Sequence, residues 1–282
     1  MDLRTARTPS ARRARTSRPK TTVGIDLGTT NTAVASNFEP LAFGDRDCIM
    51  SSAVALPPSG SLIVGSAARR RRAMDPENTI LSAKRIIGAR WHSSSVSQFR
   101  DHYPYNLAKT EDGGAAFQTR AGVLTPGQIG TMIVNGLFDL VSVDPKGVGA
   151  VVTAPVAFEE RRRDATVQAV LDSGFDSVRV VEEPVATALA YLNRSNLKHG
   201  FVYDLGGGTF DAAVVDCSSY PFRVIGHGGD PYLGGDDVDR TIALHVADRT
   251  LSNSGWDLTN DAVTFDRLVH ASELAKCASV SY

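Results

Sequence analysis

Two short stretches of this chain set an aspartate against a run of turn residues. Asp26 lies near the end of VGIDLG (23–28) and is followed, after Gly28, by Thr29, Thr30 and Asn31. Asp204 stands in the same place in FVYDLG (201–206), ahead of Gly206, Gly207, Gly208 and Thr209. Glycine lets the backbone approach closely and turn consecutive N–H groups toward one point, which makes an anion nest, and threonine hydroxyls add donors. A carboxylate beside such a nest repels a bare phosphate, so the combination makes sense with a hydrated Mg²⁺ between them. Either stretch alone is a common turn. Two copies, with Asp26 and Asp204 178 residues apart, point to paired hairpins that grip a nucleoside polyphosphate from opposite sides.

Other chemistries lack their residues. No G-x-x-x-x-G-K-[ST] occurs, and no G-x-G-x-x-G opens a helix after a strand. The six histidines form no H-E-x-x-H, and G-x-S-x-G is absent. Cys48, Cys217 and Cys277 are far apart with no C-x-x-C pair, so they read as reduced thiols and not as a disulfide framework or a zinc site.

The elements around the two aspartates repeat as well. VGIDLGTTNTAVAS and FVYDLGGGTFDAAVV superimpose as strand, Asp-Leu-Gly, small-residue turn, strand, the mark of a duplicated domain with a site between its copies. Between them, Thr125-Pro126 predicts an N-cap followed by proline at the first helical position. Ile129, Ile133 and Leu137 then give one apolar helix face. VGAVVTAPVAF (148–158) has the continuous apolar character of a buried parallel strand. A helix ending near Gly174, a strand over VRVVEEP and a helix over ATALAYL follow, an α/β order. Residues 45–122 differ: short strands near 51–56 and 62–65, the Arg-rich stretch Arg69 to Arg72, then a polar segment from Ser93 to Gly122 with a turn at Asp112-Gly113-Gly114. Arg69 to Arg72, and Arg161 with Arg162, read as solvated helix faces.

A length of 282 residues predicts about two domains, and 42% hydrophobic with 22% charged residues is ample for a core. No apolar run approaches the ~18 residues of a membrane span. Residues 1–20 hold seven basic residues against Asp2, a charge of +6, which leaves −7 on the rest of a chain whose net charge is −1. An acidic body argues against nucleic acid as a partner. The tail has a transit-peptide composition without the amphipathic apolar face, and reads as a disordered tail or as a start codon placed too early.

Six motifs in order then resemble one family: GIDLGTTNTAVA, AKRIIGARW, VVTAPVAF, VVEEPVATALAY, VYDLGGGTFDAAVVD and GGDPYLGGDDVD. They look like the N-terminal ATPase domain of DnaK-type chaperones, the 70-kDa heat-shock proteins, from about Thr22 onward. The resemblance implies an α/β, actin-like ATPase fold of duplicated ribonuclease-H-like lobes: a first lobe at 21–195 with 45–122 as its insert, and a second at 196–282. It implies ATP or ADP with Mg²⁺ as cofactors, ATP hydrolysis, and ATP-driven binding and release of unfolded polypeptides. J-domain co-chaperones and nucleotide exchange factors would be partners, in the cytoplasm, with neither nucleic acid nor membrane.

By the same resemblance, Asp26, Gly28, Thr29, Thr30 and Asn31 would hold metal and phosphates from one lobe. Asp204, Gly206, Gly207, Gly208 and Thr209 would do so from the other, with Asp26 and Asp204 meeting the metal through water. Lys84 would reach the γ-phosphate, and Glu183 would orient metal-bound or attacking water, with Asp204 or Asp211 as the other carboxylate. Pro155 and Arg163 match a relay of nucleotide state. Gly234 and Gly235 belong to the L-G-G segment, and Glu273 and Lys276 to the helix that contacts ribose and base. Cys277 and Val280 depart from a family arginine and serine, and Glu182 from an asparagine. In the family further segments follow this helix, so the second lobe is expected to be incomplete, with an exposed sheet edge, an uncovered apolar face, weak ATP binding and little turnover. A small-molecule kinase, a filament-forming cytoskeletal ATPase and an inactive nucleotide-binding fragment are the alternatives.

Overall fold

The computed structural model describes residues 21–37, 39–43, 47–192 and 197–279, without the side chain of residue 192. The basic tail, the lobe boundary expected at 195–196 and Val280 lie outside the described residues.

β1 (Thr21–Leu27) and β2 (Asn31–Ser36) form the first expected hairpin, antiparallel with Leu27 opposite Thr32. Alternation along β1 sends Val23, Ile25 and Leu27 into the core and Asp26 to the opposite face. The aspartate thus faces away from the core on a strand held by buried neighbours. β3 (Glu39–Pro40) and β4 (Ile49–Ser51) both pair with β2.

The next segment builds two small sheets. β5 (Ala53–Ala55) lies between β6 (Ile63–Val64) and β7 (Thr79–Leu81), with α1 (Ser66–Arg70) after β6. A 3-10 turn, Ala83–Ile86, follows and carries Lys84. After α2 (Ser94–His102) come β8 (Leu107–Lys109), β9 (Ala115–Thr119) and β10 (Gly122–Leu124), with β9 central. The turn at Asp112-Gly113 is present: Gly113 has φ 80° and its N–H donates to the Thr110 carbonyl at 3.0 Å. The polar reading of Ser93 to Gly122 is corrected. Phe99 and Phe117 are fully buried, and Phe99 stacks on Tyr103 with ring centroids 4.5 Å apart. Four aromatic rings, Tyr105 among them, gather from scattered positions that show no periodicity in sequence.

α3 (Pro126–Val141) starts as its sequence predicts. Thr125 Oγ1 accepts from the Gln128 N–H while the Gln128 side chain accepts from the Thr125 N–H, a reciprocal capping box. Ile129, Ile133 and Leu137 are all buried on its inner face. β11 (Val148–Ala154), α4 (Glu160–Leu171), β12 (Ser177–Glu182) and α5 (Glu183–Leu192) follow. The main sheet runs β12-β11-β1-β2-β3, with β4 also on β2; β12, β11 and β1 are parallel. The largest core cluster joins β1 and β11 to α3, β5 and the aromatic group around Phe99.

β13 (His199–Leu205), β14 (Phe210–Asp216) and β15 (Arg223–Asp230) make a separate antiparallel sheet. α6 (Gly235–Ser254) and α7 (Ala262–Ser279) pack together through Ala243, Phe265 and Val269. Phe201, Tyr203 and Leu205, alternate residues of β13, are each more than half exposed. These side chains leave one face of β13 apolar and open among the described residues. No described helix is long and apolar enough to cross a membrane.

Candidate functional site

The two glycine-bearing turns meet tip to tip. Gly28 closes the first, where an added Cβ would collide with the Asn31 carbonyl. Gly206 donates its N–H to the Thr209 carbonyl at 2.9 Å to close the second. A Cβ on Gly207 would run into the Thr30 side chain, and one on Gly208 would lie 2.6 Å from Arg85 Nη2. These glycines are needed for close approach, since bare backbone is what fits between neighbours there. Gly234 is under the same constraint: its Cβ would lie 2.7 Å from Gly207 C and Gly208 N. The start of α6 is tied on here, as the Gly235 N–H donates to the Gly206 carbonyl at 3.1 Å and the Asp236 N–H to the Gly207 carbonyl at 2.6 Å. Thr30 Oγ1 is buried and has no hydrogen-bond partner among the described residues.

Between the turns lies a cleft of about 330 Å³ whose lining includes Asp26, Thr29, Lys84, Glu183, Asp204 and Thr209. Gly28, Thr30, Asn31, Gly206, Gly207, Gly208 and Pro155 complete its predicted wall. Lys84 Nζ donates to Glu183 Oε1 at 2.7 Å, and the lysine side chain is buried. Thr153 Oγ1 donates to Asp26 Oδ1 at 2.6 Å and so fixes one carboxylate oxygen. Asp211 stands directly opposite Asp204 in the β13–β14 ladder. Burial pushes the Glu183 carboxyl above its ordinary value, Lys84 pulls it back, and Asp26 and Asp211 push it up again. Asp204 is raised by burial and then by Asp26, and Asp211 by burial and then by Asp204. Among the residues that line the cleft, Lys84 stands against Asp26, Glu183 and Asp204, with Asp211 beside Asp204, an arrangement short of positive charge.

Pro155 lines this cleft, and Arg163 pairs with Glu182, the neighbour of Glu183. Arg163 donates to the carbonyls of Phe158 and Val156 and, at 3.1 Å, to Glu182 Oε1. Glu182, the departure from the family asparagine, is thus the carboxylate that pairs with Arg163, next in sequence to Glu183. Arg162 overturns the reading of a solvated face. Its guanidinium donates to the carbonyls of Ile87, Lys84 and Arg85, and it lies 3.8 Å over the Phe158 ring. Arg161 is also bound, to the Gly88 carbonyl and Asp112. The 3-10 turn that carries Lys84 has its carbonyls capped from α4, a role no local sequence signal marked.

Glu273 and Lys276 do not line the cleft; both are held by protein partners. Glu273 accepts from Arg69, with Nε at 3.0 Å, and from His270 Nδ1 at 3.4 Å. Burial works against its charge, but hydrogen bonds from His270 and Arg69 and the charges of Arg69 and Arg72 outweigh it and hold the carboxyl at about 2. Lys276 Nζ lies 2.7 Å from Asp239 Oδ1 and donates to the Gly235 carbonyl. The solvated reading of Arg69 to Arg72 holds for Arg70, which is exposed, and is corrected for Arg69 and Arg72. Arg72 is buried and forms a two-pronged pair with Asp266, at 2.9 and 2.6 Å. Two arginines from one side of the molecule thus lock onto α7 from the other.

The site is therefore a pair of glycine hairpins closed on a lysine and four carboxylates, beside a helix tied across by arginines. The family model described as Hsp70 protein matches residues 22–281.

Proposed function

The chain belongs to the Hsp70 family of chaperones, with the actin-like ATPase fold and nucleotide-binding character of its N-terminal domain, and from that premise we propose that the cleft binds ATP or ADP with Mg²⁺ and hydrolyses ATP. The observation that carries this reading is the meeting of both hairpin tips around Lys84 and Glu183. Backbone N–H groups and the hydroxyls of Thr29, Thr30 and Thr209 suit phosphate oxygens, and the unpartnered Thr30 Oγ1 has a donor to spare.

The donor set fits magnesium. Asp26, Glu183, Asp204 and Asp211 offer hard oxygen ligands, and the raised carboxyls mark a place where added positive charge is stabilising. When bound, the ion neutralises charge on the phosphate oxygens. Lys84 supplies fixed positive charge to the transferring phosphoryl group, and Glu183, held by Lys84, orients the attacking water. Thr153 keeps Asp26 in place. Pro155, the Arg163–Glu182 pair and the strand ends they join would carry nucleotide state outward, to a peptide-binding partner domain.

Coupling to unfolded polypeptides, J-domain proteins and exchange factors is the finer part of this proposal. ATP turnover measured with unfolded peptide and a J-domain protein, and separately with sugars, tests it. Stimulation by peptide and J-domain protein is expected. Stimulation by a sugar alone would favour a kinase, and sedimentation on adding ATP a filament; either would overturn the chaperone reading.

A further inference from the structure

A second cavity, about 840 Å³, adjoins the phosphate cleft at Lys84. The two share a wall of four residues: Thr29, Lys84, Pro155 and Thr209. An anion beside Lys84 in the cleft therefore has this cavity as its neighbour.

The cavity is built for an anion. Lys84, Arg85, Arg90, Arg161 and Arg162 face it, against the acids Glu159, Asp211 and Asp230. Lys84 is held by Glu183, Arg161 by Asp112, and Arg85 lies 3.9 Å from Asp237. Arg162 and Arg90 pair with no carboxylate among the described residues. Arg162 is satisfied by carbonyls, which leaves its charge uncancelled, and burial lowers it only to about 10, so it stays protonated at neutral pH. The first turn of α2, capped by Ser93, also lines the cavity and adds the positive end of a helix.

We propose that this cavity is a binding chamber for inorganic phosphate, through which the product of hydrolysis leaves while the nucleoside diphosphate stays bound. The proposal rests on the cleft being an ATPase site. At about 840 Å³ the chamber takes phosphate with its water shell, so binding is weak and release is quick. Arg90, exposed at the mouth, draws the ion outward; the acid Asp230 opposes it.

Inorganic phosphate titrated onto the ADP-loaded full chain, followed by phosphorus NMR, tests the chamber directly. Arg90→Glu should weaken phosphate binding by about fivefold and Asp230→Asn should tighten it, by charge alone, with ADP affinity unchanged in both. Among the described residues the Arg90 side chain has no hydrogen-bond or ion-pair partner to lose, and thermal melts of the two variants check that folding is intact. In single turnovers, bond cleavage should keep its wild-type rate in Arg90→Glu while a phosphate sensor reports delayed release. Phosphate affinity unchanged in both variants would overturn the proposal, as would release that keeps pace with cleavage in Arg90→Glu. A wild-type chain that hydrolyses no ATP would remove the ATPase reading instead, and the titration would still decide whether the chamber binds phosphate.

Discussion

Lys84 Nζ lies 2.7 Å from Glu183 Oε1, although one residue belongs to the 3-10 turn Ala83–Ile86 and the other begins α5. The pair joins two parts of the chain that meet only through the fold, and it sets Lys84 on a carboxyl that burial raises and the lysine draws back down. The contact fixes both side chains in the cleft wall, where a phosphoryl group and a water would lie.

Lys84→Ala should slow single-turnover ATP hydrolysis by about 10²–10³, the size of a lost oxyanion donor, while ATP binding weakens much less. Hydrolysis within about threefold of wild type would take Lys84 out of the mechanism.

Gly207→Ala should open the contact between the two hairpins, because its Cβ would lie 2.8 Å from Thr30 Cβ and cannot be relieved by rotating a flexible side-chain end. Nucleotide affinity should fall at least tenfold, about 1.4 kcal/mol, with little change in the thermal midpoint. Unchanged affinity, measured by calorimetry, would show that the tips need not touch.

Arg72→Ala should destabilise the chain by about 3–5 kcal/mol, since it strands the buried Asp266 carboxylate. Replacing both partners by hydrophobic residues of similar volume should recover most of that loss. Urea titrations of the single and double variants measure both steps.

Glu273 makes stability depend on acid. Its folded value of about 2 lies below the ordinary 4.5, so its ionised form stabilises the fold above pH 4.5, and that contribution is lost as pH falls toward 2. Denaturation midpoints of Glu273→Gln should change less over this window than those of wild type. Parallel curves would exclude Glu273 as a source of the acid response.

The hairpins, the lysine and the capped helix α3 were legible because each is written in neighbouring residues: Asp-Leu-Gly with its turn, A-K-R, Thr-Pro with an apolar face at i, i+4. Pairings at long range were not. Nothing local distinguishes Arg72, which finds Asp266 194 positions away, from an arginine in water. The same holds for Arg162, whose partners are backbone carbonyls. The aromatic group around Phe99 was missed because its members come from a helix, a loop and a strand, so no single period links them. Glu182 was visible as a departure, but only its contact with Arg163 explains the exchange.

Calorimetry of ATP and ADP binding with Mg²⁺ and with chelator, on wild type, Asp26→Asn, Asp204→Asn and the double variant, tests the central claim that both hairpins hold one metal–nucleotide group. Binding should require Mg²⁺ in wild type, lose much of that dependence in each single variant, and lose little more in the double, because the two carboxylates act on the same ion. Binding indifferent to Mg²⁺, or strictly additive losses with the dependence intact in both single variants, would contradict it.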